Sequence, residues 1–345
     1  MDKDFNIVKY ISFINLQWIR RYYEPGEFNV QLPASEYDSS AVYLFTKDRP
    51  EVGLIQKRQY ADGYDGKVMQ LSGYFYEYKL NDKITYPRFN ASGNIEAVAR
   101  TIISTYKEDI PILQLGKAND PLLGSSITKE STGDGLATVI YELLQTQELS
   151  IRCLYDYVNN SMSAVVWQGK DRTQDQDVNS FVVFSEGFRN MQNEEIIIDN
   201  SNFKNYAVVI GNGRYEEGNQ IEVIVDLRSN KNVYAQKLYV DQTGQTYDET
   251  KQTLDEFKEQ LRQAGIEELA KYTDITSVSF DTIDRGLTYM KDYDLGDKCD
   301  VVLDSISESY TVRIIEVTEV FKENKHTISL QFGNKVPTVY SKARR

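Results

Sequence analysis

Hydrophobic and polar positions alternate through the start of the chain. Ile14, Leu16 and Trp18 alternate with Asn15, Gln17 and Ile19; Pro25-Gly26 follows; Phe28, Val30 and Leu32 then alternate with Asn29 and Gln31. A period of two on both sides of a Pro-Gly pair predicts a hairpin with one face on a core. The pair fits a type II turn, with Pro at i+1 and Gly at i+2. Further strands are expected over 41–45, 52–60 and 68–78, the last placing Tyr74, Tyr76 and Tyr78 on one face. The loop Asp62-Gly63-Tyr64-Asp65-Gly66 separates two of them. Many short strands joined by tight turns predict a barrel or sandwich.

The period changes near residue 93. Ile95, Val98, Ala99, Ile102, Ile103 and Tyr106 follow helical spacing, with Asn94 as N-cap and Pro111 beyond the end. Residues 124–135 read as a polar, glycine-containing loop, and Leu136, Val139, Ile140, Leu143 and Leu144 as a second amphipathic helix. Strands resume over 151–157 and 164–167, making 93–170 an α/β insertion or second domain. From 180 to 240 the chain is β again, over 181–184, 196–198, 206–210 and 221–227. Leu254, Phe257 and Leu261 then mark a helix, with Gly265 as its C-terminal cap and 266–272 restarting it. The tail is β, over 277–280, 299–303, 310–320 and 327–332, with Glu323-Asn324-Lys325 as a hairpin turn.

Composition narrows the function classes. A chain of 345 residues suggests about two domains at ~100–200 residues each. At 41% hydrophobic it builds real cores. Lys+Arg 39 against Asp+Glu 52 gives a net charge of -13. That argues against a general phosphate-backbone binder and against a polybasic membrane-surface protein, although an acidic wall lets DNA pass without sticking. The 25 Tyr against 14 Phe fit either ordinary strand tyrosines or a large subunit interface. Cys153 and Cys299 make no CxxC pair, and two buried thiols from a reducing compartment are expected. Met1-Asp2-Lys3-Asp4 lacks the positive n-region of a signal peptide. No run approaches the ~18 apolar residues of a spanning helix.

No catalytic signature emerges. The single histidine, His326, falls at a turn with no orienting carboxylate or nucleophile beside it in sequence. Asp292, Asp294, Asp297 and Asp300 miss the calcium-loop spacing, so they read as a turn entering a strand, with Gly296 at positive φ. Gly211-Asn212-Gly213 lacks the third glycine and helix of a dinucleotide site and reads as a β-turn. Glu316 with Glu319, or Glu194 with Glu195, are acid pairs by arithmetic only and read as solvated strand faces or edges. No catalytic residue, cofactor or metal is expected.

The C-terminal third carries a resemblance. The stretch from Tyr289 through Asp294-Leu295-Gly296-Asp297, the strand with Arg313, Glu316 and Glu319, and Phe332-Gly333-Asn334 resemble the end of the phage tail-hub family of Gram-positive siphoviruses and prophages. That family is related to the trimeric hubs of contractile-tail baseplates. Upstream, Gly169-Lys170-Asp171-Arg172-Thr173, Phe184-Ser185 before Asn190, Lys204-Asn205-Tyr206 and Ile210-Gly211-Asn212-Gly213 are similar to its motifs, as is 261–269 to its helix before the last domain. Tyr74 stands where the family has an arginine.

The resemblance implies a mixed, β-rich α+β fold. Two β-barrel, tube-like domains would carry an inserted α/β domain, with a helix before the last barrel. The division would be 1–92 for part of the first barrel, 93–170 inserted, 171–246 completing the first barrel, 247–272 a helical connector and 273–345 the C-terminal barrel. It implies a non-enzymatic virion protein assembled in the bacterial cytoplasm, a homotrimeric ring adapting a sixfold tube to a threefold tip. Its partners would be further copies of itself, the tail tube or distal tail ring, the tape-measure protein, a tail-tip or receptor-binding protein, and DNA only in transit; no membrane is involved. Asp171, Arg172, Thr173, Asp294, Leu295, Gly296, Asp297, Arg313, Glu316 and Glu319 would be structural motif residues. Two other readings stay open. One is a carbohydrate-binding protein using Tyr74, Tyr76 and Tyr78; the other is a cell-wall glycoside hydrolase using two carboxylates.

Overall fold

A computed structural model describes residues 1–63, 66–213, 219–229, 233–272, 275–323 and 325–333. The opening hairpin forms as its alternation demands, from β1 (Asn15–Arg21) and β2 (Glu27–Pro33). Its turn is not type II, because Gly26 does not take a positive φ. Glycine is needed there for space: a Cβ would lie 2.5 Å from the Ile19 carbonyl and from the Phe75 ring. β3 (Tyr43–Phe45) pairs with β4 (Val52–Leu54), while β5 (Lys57–Gly63) and β6 (Gly66–Tyr74) extend the hairpin sheet. Tyr64 and Asp65 of the expected loop lie outside the described residues. The strand expected to reach Tyr78 stops at Tyr74, where a 3₁₀ turn spans Tyr76–Asp82.

The inserted segment opens with β7 (Phe89–Asn94) and α1 (Ile95–Tyr106). Asn94 Oδ1 accepts from Glu96 N at 2.9 Å, the cap that the sequence signals. β8 (Leu113–Leu115) follows, then β9 (Ser126–Ser131) within the expected polar loop. β9 pairs with β7 and buries Lys129 and Ser131; Ile127 is its one apolar residue, so the apolar period by which strands are recognised is missing. α2 (Leu136–Gln145), β10 (Ser150–Asp156) and β11 (Ser161–Trp167) complete the segment. Its core runs on across residue 93, taking in Met1, Phe5, Tyr43, Val52 and Tyr76 with α1, α2 and β10.

After β12 (Val183–Ser185) and β13 (Met191–Asp199) comes a three-stranded sheet of β14 (Tyr206–Asn212), β15 (Gln220–Asp226) and β16 (Lys237–Thr246). α3 (Leu254–Leu269) covers it, capped by a Thr253/Glu256 capping box. Gly265 is not the cap but a packing position inside α3: a Cβ would meet Val209 and Val225 methyls at 2.7 Å. No helix among the described residues is long and apolar enough to cross a membrane.

The tail supplies β17 (Ile275–Thr282), β18 (Lys298–Leu303), β19 (Glu308–Lys322) and β20 (Lys325–Gly333). Asn324 of the hairpin lies outside the described residues. β19 pairs with β1, so both ends of the chain share one ten-stranded sheet in the order β13-β17-β20-β19-β1-β2-β6-β5, with β18 and β12 branching from it. Two closed barrels are not found among the described residues. Within 171–246, β12 and β13 pair with β18 and β17, and β14–β16 form a separate sheet. Strand pairing here follows cross-chain burial of Val278, Phe280, Leu330 and Phe332, which local patterning does not encode.

Candidate functional site

The motif residues meet where β1, β10, β11 and β18 come together. Gly296 has φ +82°, as expected, and donates to the Ile314 carbonyl at 2.8 Å. Two aromatic rings close over it: a Cβ there would lie 2.5 Å from Tyr22 and 3.0 Å from Trp167. Gly169 packs against the other side, where a Cβ would fall 1.8 Å from the Gly296 oxygen. Two backbones therefore touch, and both positions exclude any side chain.

The aspartates on either side of Gly296 hold arginines. Asp297 is buried; its Oδ2 accepts from Arg172 Nε at 2.6 Å and from Asp294 N at 3.1 Å, and its Oδ1 from Lys170 N at 2.7 Å. Asp294 Oδ1 accepts from Arg20 Nη1 at 2.6 Å. Arg20 is itself buried on the core face of β1, with Nε on Glu51 Oε1 at 2.7 Å and Nη1 also on the Tyr289 hydroxyl at 2.7 Å. Burial works against the Arg20 charge, and Glu51, Tyr289 and Asp294 outweigh it, holding the guanidinium well above its ordinary pKa. Among the described residues no group of acids is arranged for a metal; the aspartates at this turn hold arginines and backbone amides.

The remaining motif residues take structural places. Asp171 Oδ1 accepts from Thr173 N at 3.0 Å and from its hydroxyl at 2.7 Å, which holds the carboxylate below its usual range. Leu295 is core. Arg313 lies over the Tyr22 ring at 5.5 Å and donates to the Gly296 carbonyl and to Glu148. Asn190 bridges the gap between β12 and β13, donating to the Val183 carbonyl at 2.9 Å and accepting from Ser185 N at 2.9 Å.

Glu316 and Glu319 are not a solvated pair. They lie on opposite faces of β19: Glu316 is held by Arg21 at 2.8 Å, while Glu319 is fully buried against Arg49 and lies 3.0 Å from His326 Nε2. His326 therefore does have a carboxylate partner, seven residues away across the hairpin, and it stacks on Phe321 at 4.2 Å. Opposite faces rule out the two-carboxylate arrangement for Glu316 and Glu319. Glu194 and Glu195 are exposed beside a bulge in β13. The tyrosine platform also fails: Tyr74 and Tyr78 stack at 4.4 Å, but Tyr76 is buried with its hydroxyl on the Pro111 carbonyl. Gly211 lies in β14 under Leu261 and Phe257 rather than in a turn, and Gly213 follows the strand's end. Both cysteines are free and buried in separate cores, with burial pushing both thiols up.

Sequence reasoning missed Arg20, Glu51, Arg152 and Glu77. Arg152 stacks on Trp167 at 4.2 Å. Glu77 is buried, with Oε1 accepting from Cys153 N at 2.7 Å, and lines a cavity of about 20 Å³ with Glu51 and Arg152. Burial pushes its carboxyl from 4.5 to about 7. The folded value lies above the unfolded one. Its contribution to stability is therefore full below pH 4.5 and lost as pH rises through about 7. Glu77→Gln is expected to melt like the parent at pH 5 and above it at pH 8, by on the order of 3 kcal/mol. Parallel melting curves at both pH values would refute this.

The family model described as Siphovirus ReqiPepy6 Gp37-like protein matches residues 1–334. A search of curated proteins finds no match. Among solved structures, the tail protein from Neisseria meningitidis MC58 is similar at 11% identity and a TM-score of 0.57, over 94% of this chain and 92% of that one. The prophage tail protein gp18 from Listeria monocytogenes EGD-e is similar at 10% identity and 0.57, over 98% and 94%. The 43 kDa tail protein of prophage MuSo2 from Shewanella oneidensis is similar at 11% identity and 0.55, over 94% of each chain. At such identities the structural likeness is one of fold.

Proposed function

The chain belongs to the Siphovirus ReqiPepy6 Gp37-like protein family, a family of phage tail proteins, and from that premise we propose that it is the structural hub of the tail tip. Three copies form a ring that continues the tail tube and adapts a sixfold tube to a threefold tip. The ring contacts the tube or distal tail ring on one side and a tip or receptor-binding protein on the other. It passes the tape-measure protein and then DNA, and performs no catalysis.

The observation that carries this reading is the two-sidedness of the large sheet. One face packs on Trp18, Phe28, Val30, Val317 and Leu330. The other is mainly polar across the strands, amides and hydroxyls mixed with charged side chains of both signs. One row runs Gln59, Gln70, Gln31, Asn15, Lys322, Lys325; the next runs Lys57, Ser72, Asn29, Gln17, Val320, Thr327. A third runs Tyr74, Glu27, Ile19, Thr318, Ser329 and Asp281, and a fourth Arg21, Glu316, Gln331, Ser279 and Glu195. A face that broad without an apolar stripe suits a water-filled wall. The net charge of -13 suggested an acidic wall; on this reading the wall instead mixes amides and hydroxyls with acids and bases in similar number, so that it neither holds nor repels a passing polyanion strongly. The purified chain is expected to scatter light as a particle near three times 39.7 kDa and to show threefold rings with a central hole in negative stain. A monomer at every concentration tested would count against the ring.

A further inference from the structure

Among the described residues the ten-stranded sheet ends in two open edges, β5 and β13. Every residue of β5 is exposed, as are Gln192–Glu195 on β13. Open edges with unpaired backbone groups invite pairing with another chain. Along the eight-strand path every neighbouring pair is antiparallel. An even number of antiparallel strands leaves β5 and β13 running in opposite directions. Placing β13 of one copy beside β5 of the next therefore continues the antiparallel order without a break.

Chemistry distinguishes the two edges. β5 carries Lys57 and Arg58 against one acid, Asp62; β13 carries Glu194, Glu195 and Asp199 and no base. Two β13 edges would oppose like charges, which is unfavourable directly across strands. The faces also match. Lys57 lies in the polar row of Ser72 and Glu195 in the polar row of Ser279. On the core side, Tyr60 lies beside Met69 and is 54% exposed, while Ile198 lies one alternate position beyond Ile196 and is 61% exposed. Both are large apolar side chains at the lateral ends of the core face, and pairing of the edges would cover both.

Resting on the ring reading above, we propose that the ring closes head to tail, the basic β5 edge of each copy pairing with the acidic β13 edge of the next. The contact is heterologous, which is the kind that makes a ring when its rotation closes. Charge sets the partner, and the Tyr60 and Ile198 side chains supply apolar area.

The test is the association constant of the full chain by sedimentation, with circular dichroism confirming that each variant is folded. Lys57→Glu alone and Glu194→Lys/Glu195→Lys alone are each expected to weaken trimer formation at least tenfold. The triple variant, which exchanges the edge charges, is expected to recover most of the loss. Raising the salt concentration should weaken the parent, since such exposed charges are screened. A parent that trimerises equally well with either set of substitutions would overturn the edge assignment and leave the ring reading standing. Loss in both variants without recovery in the folded triple variant would overturn the charge pairing. A parent that is monomeric throughout would remove the ring reading itself.

Discussion

Gly296→Val is expected to lower the stability of the chain by about 2–6 kcal/mol, because two independent costs add at that position. The first is conformational. Its φ is +82°, and a β-branched residue held there costs about 1–3 kcal/mol. The second is steric: the new Cβ would be 2.5 Å from the Tyr22 ring, and overpacking of that kind costs roughly 1–3 kcal/mol. Tyr22 cannot simply swing away. Its hydroxyl donates to the Glu148 carbonyl at 3.0 Å and accepts from Gly169 N at 3.3 Å, and Arg313 lies over its ring. Gly169→Ala has no positive φ to contend with but drives a Cβ to 1.8 Å from the Gly296 oxygen, so it should be comparably harmful. The two substitutions force the same pair of backbones apart, and their combined effect should fall short of the sum. Thermal melting followed in the near-ultraviolet reads all three, with a fall of roughly 6–10 °C expected for each single variant. An unchanged melting temperature for Gly296→Val would show that the turn is not held as described.

The turn at Gly296 was legible because its reason is local. A glycine between two aspartates at a strand entry signals positive φ whatever surrounds it, and the same holds for Asn94 as the cap of α1. The junction that the turn serves was not legible in the same way. Arg20 carries one usable signal: it continues the alternation of Leu16 and Trp18 and so falls on the core face, where an unpaired charge is costly. That parity argument predicts that Arg20 needs a buried acid but cannot say which. Glu51, Asp294 and Tyr289 lie 31, 274 and 269 residues away. His326 was misread for the same reason, since its partner Glu319 becomes a neighbour only once the hairpin forms. Gly26 and Gly265 were read as turn and cap because glycine is ambiguous in sequence. Both are there for space against a ring or a methyl that comes from elsewhere in the chain. The strand β9 escaped because its buried positions, Lys129 and Ser131, are polar and it finds β7 by backbone pairing.

Removing Arg20 should be the most damaging single change among the charged residues of the junction. Arg20→Met keeps most of the aliphatic volume and deletes the charge, which leaves Glu51 buried at 5% exposure without its cation. Breaking one side of a buried pair costs about 3–5 kcal/mol, because the remaining ion cannot recover its hydration. Asp294 is less affected, since a third of its side chain reaches solvent, so the loss falls on Glu51 and on the Tyr289 hydroxyl. The contrast between one partner and both is the decisive measurement. Adding Glu51→Gln to Arg20→Met removes the stranded charge and should restore most of the stability, since neutral replacement of a whole buried pair is often close to neutral. Denaturant unfolding of the parent, the single variants and the double variant closes the cycle. If Arg20→Met unfolds within ~0.5 kcal/mol of the parent, the ion pair is not what joins β1 to the turn before β18. If the double variant is no better than Arg20→Met, the cost lies in lost packing against Tyr289 rather than in the orphaned carboxylate. Recovery in the double variant would mark the arginine as a device for orientation more than for stability. It joins the first strand of the chain to the entry of the C-terminal strands, the same two parts that β1 and β19 bring into one sheet.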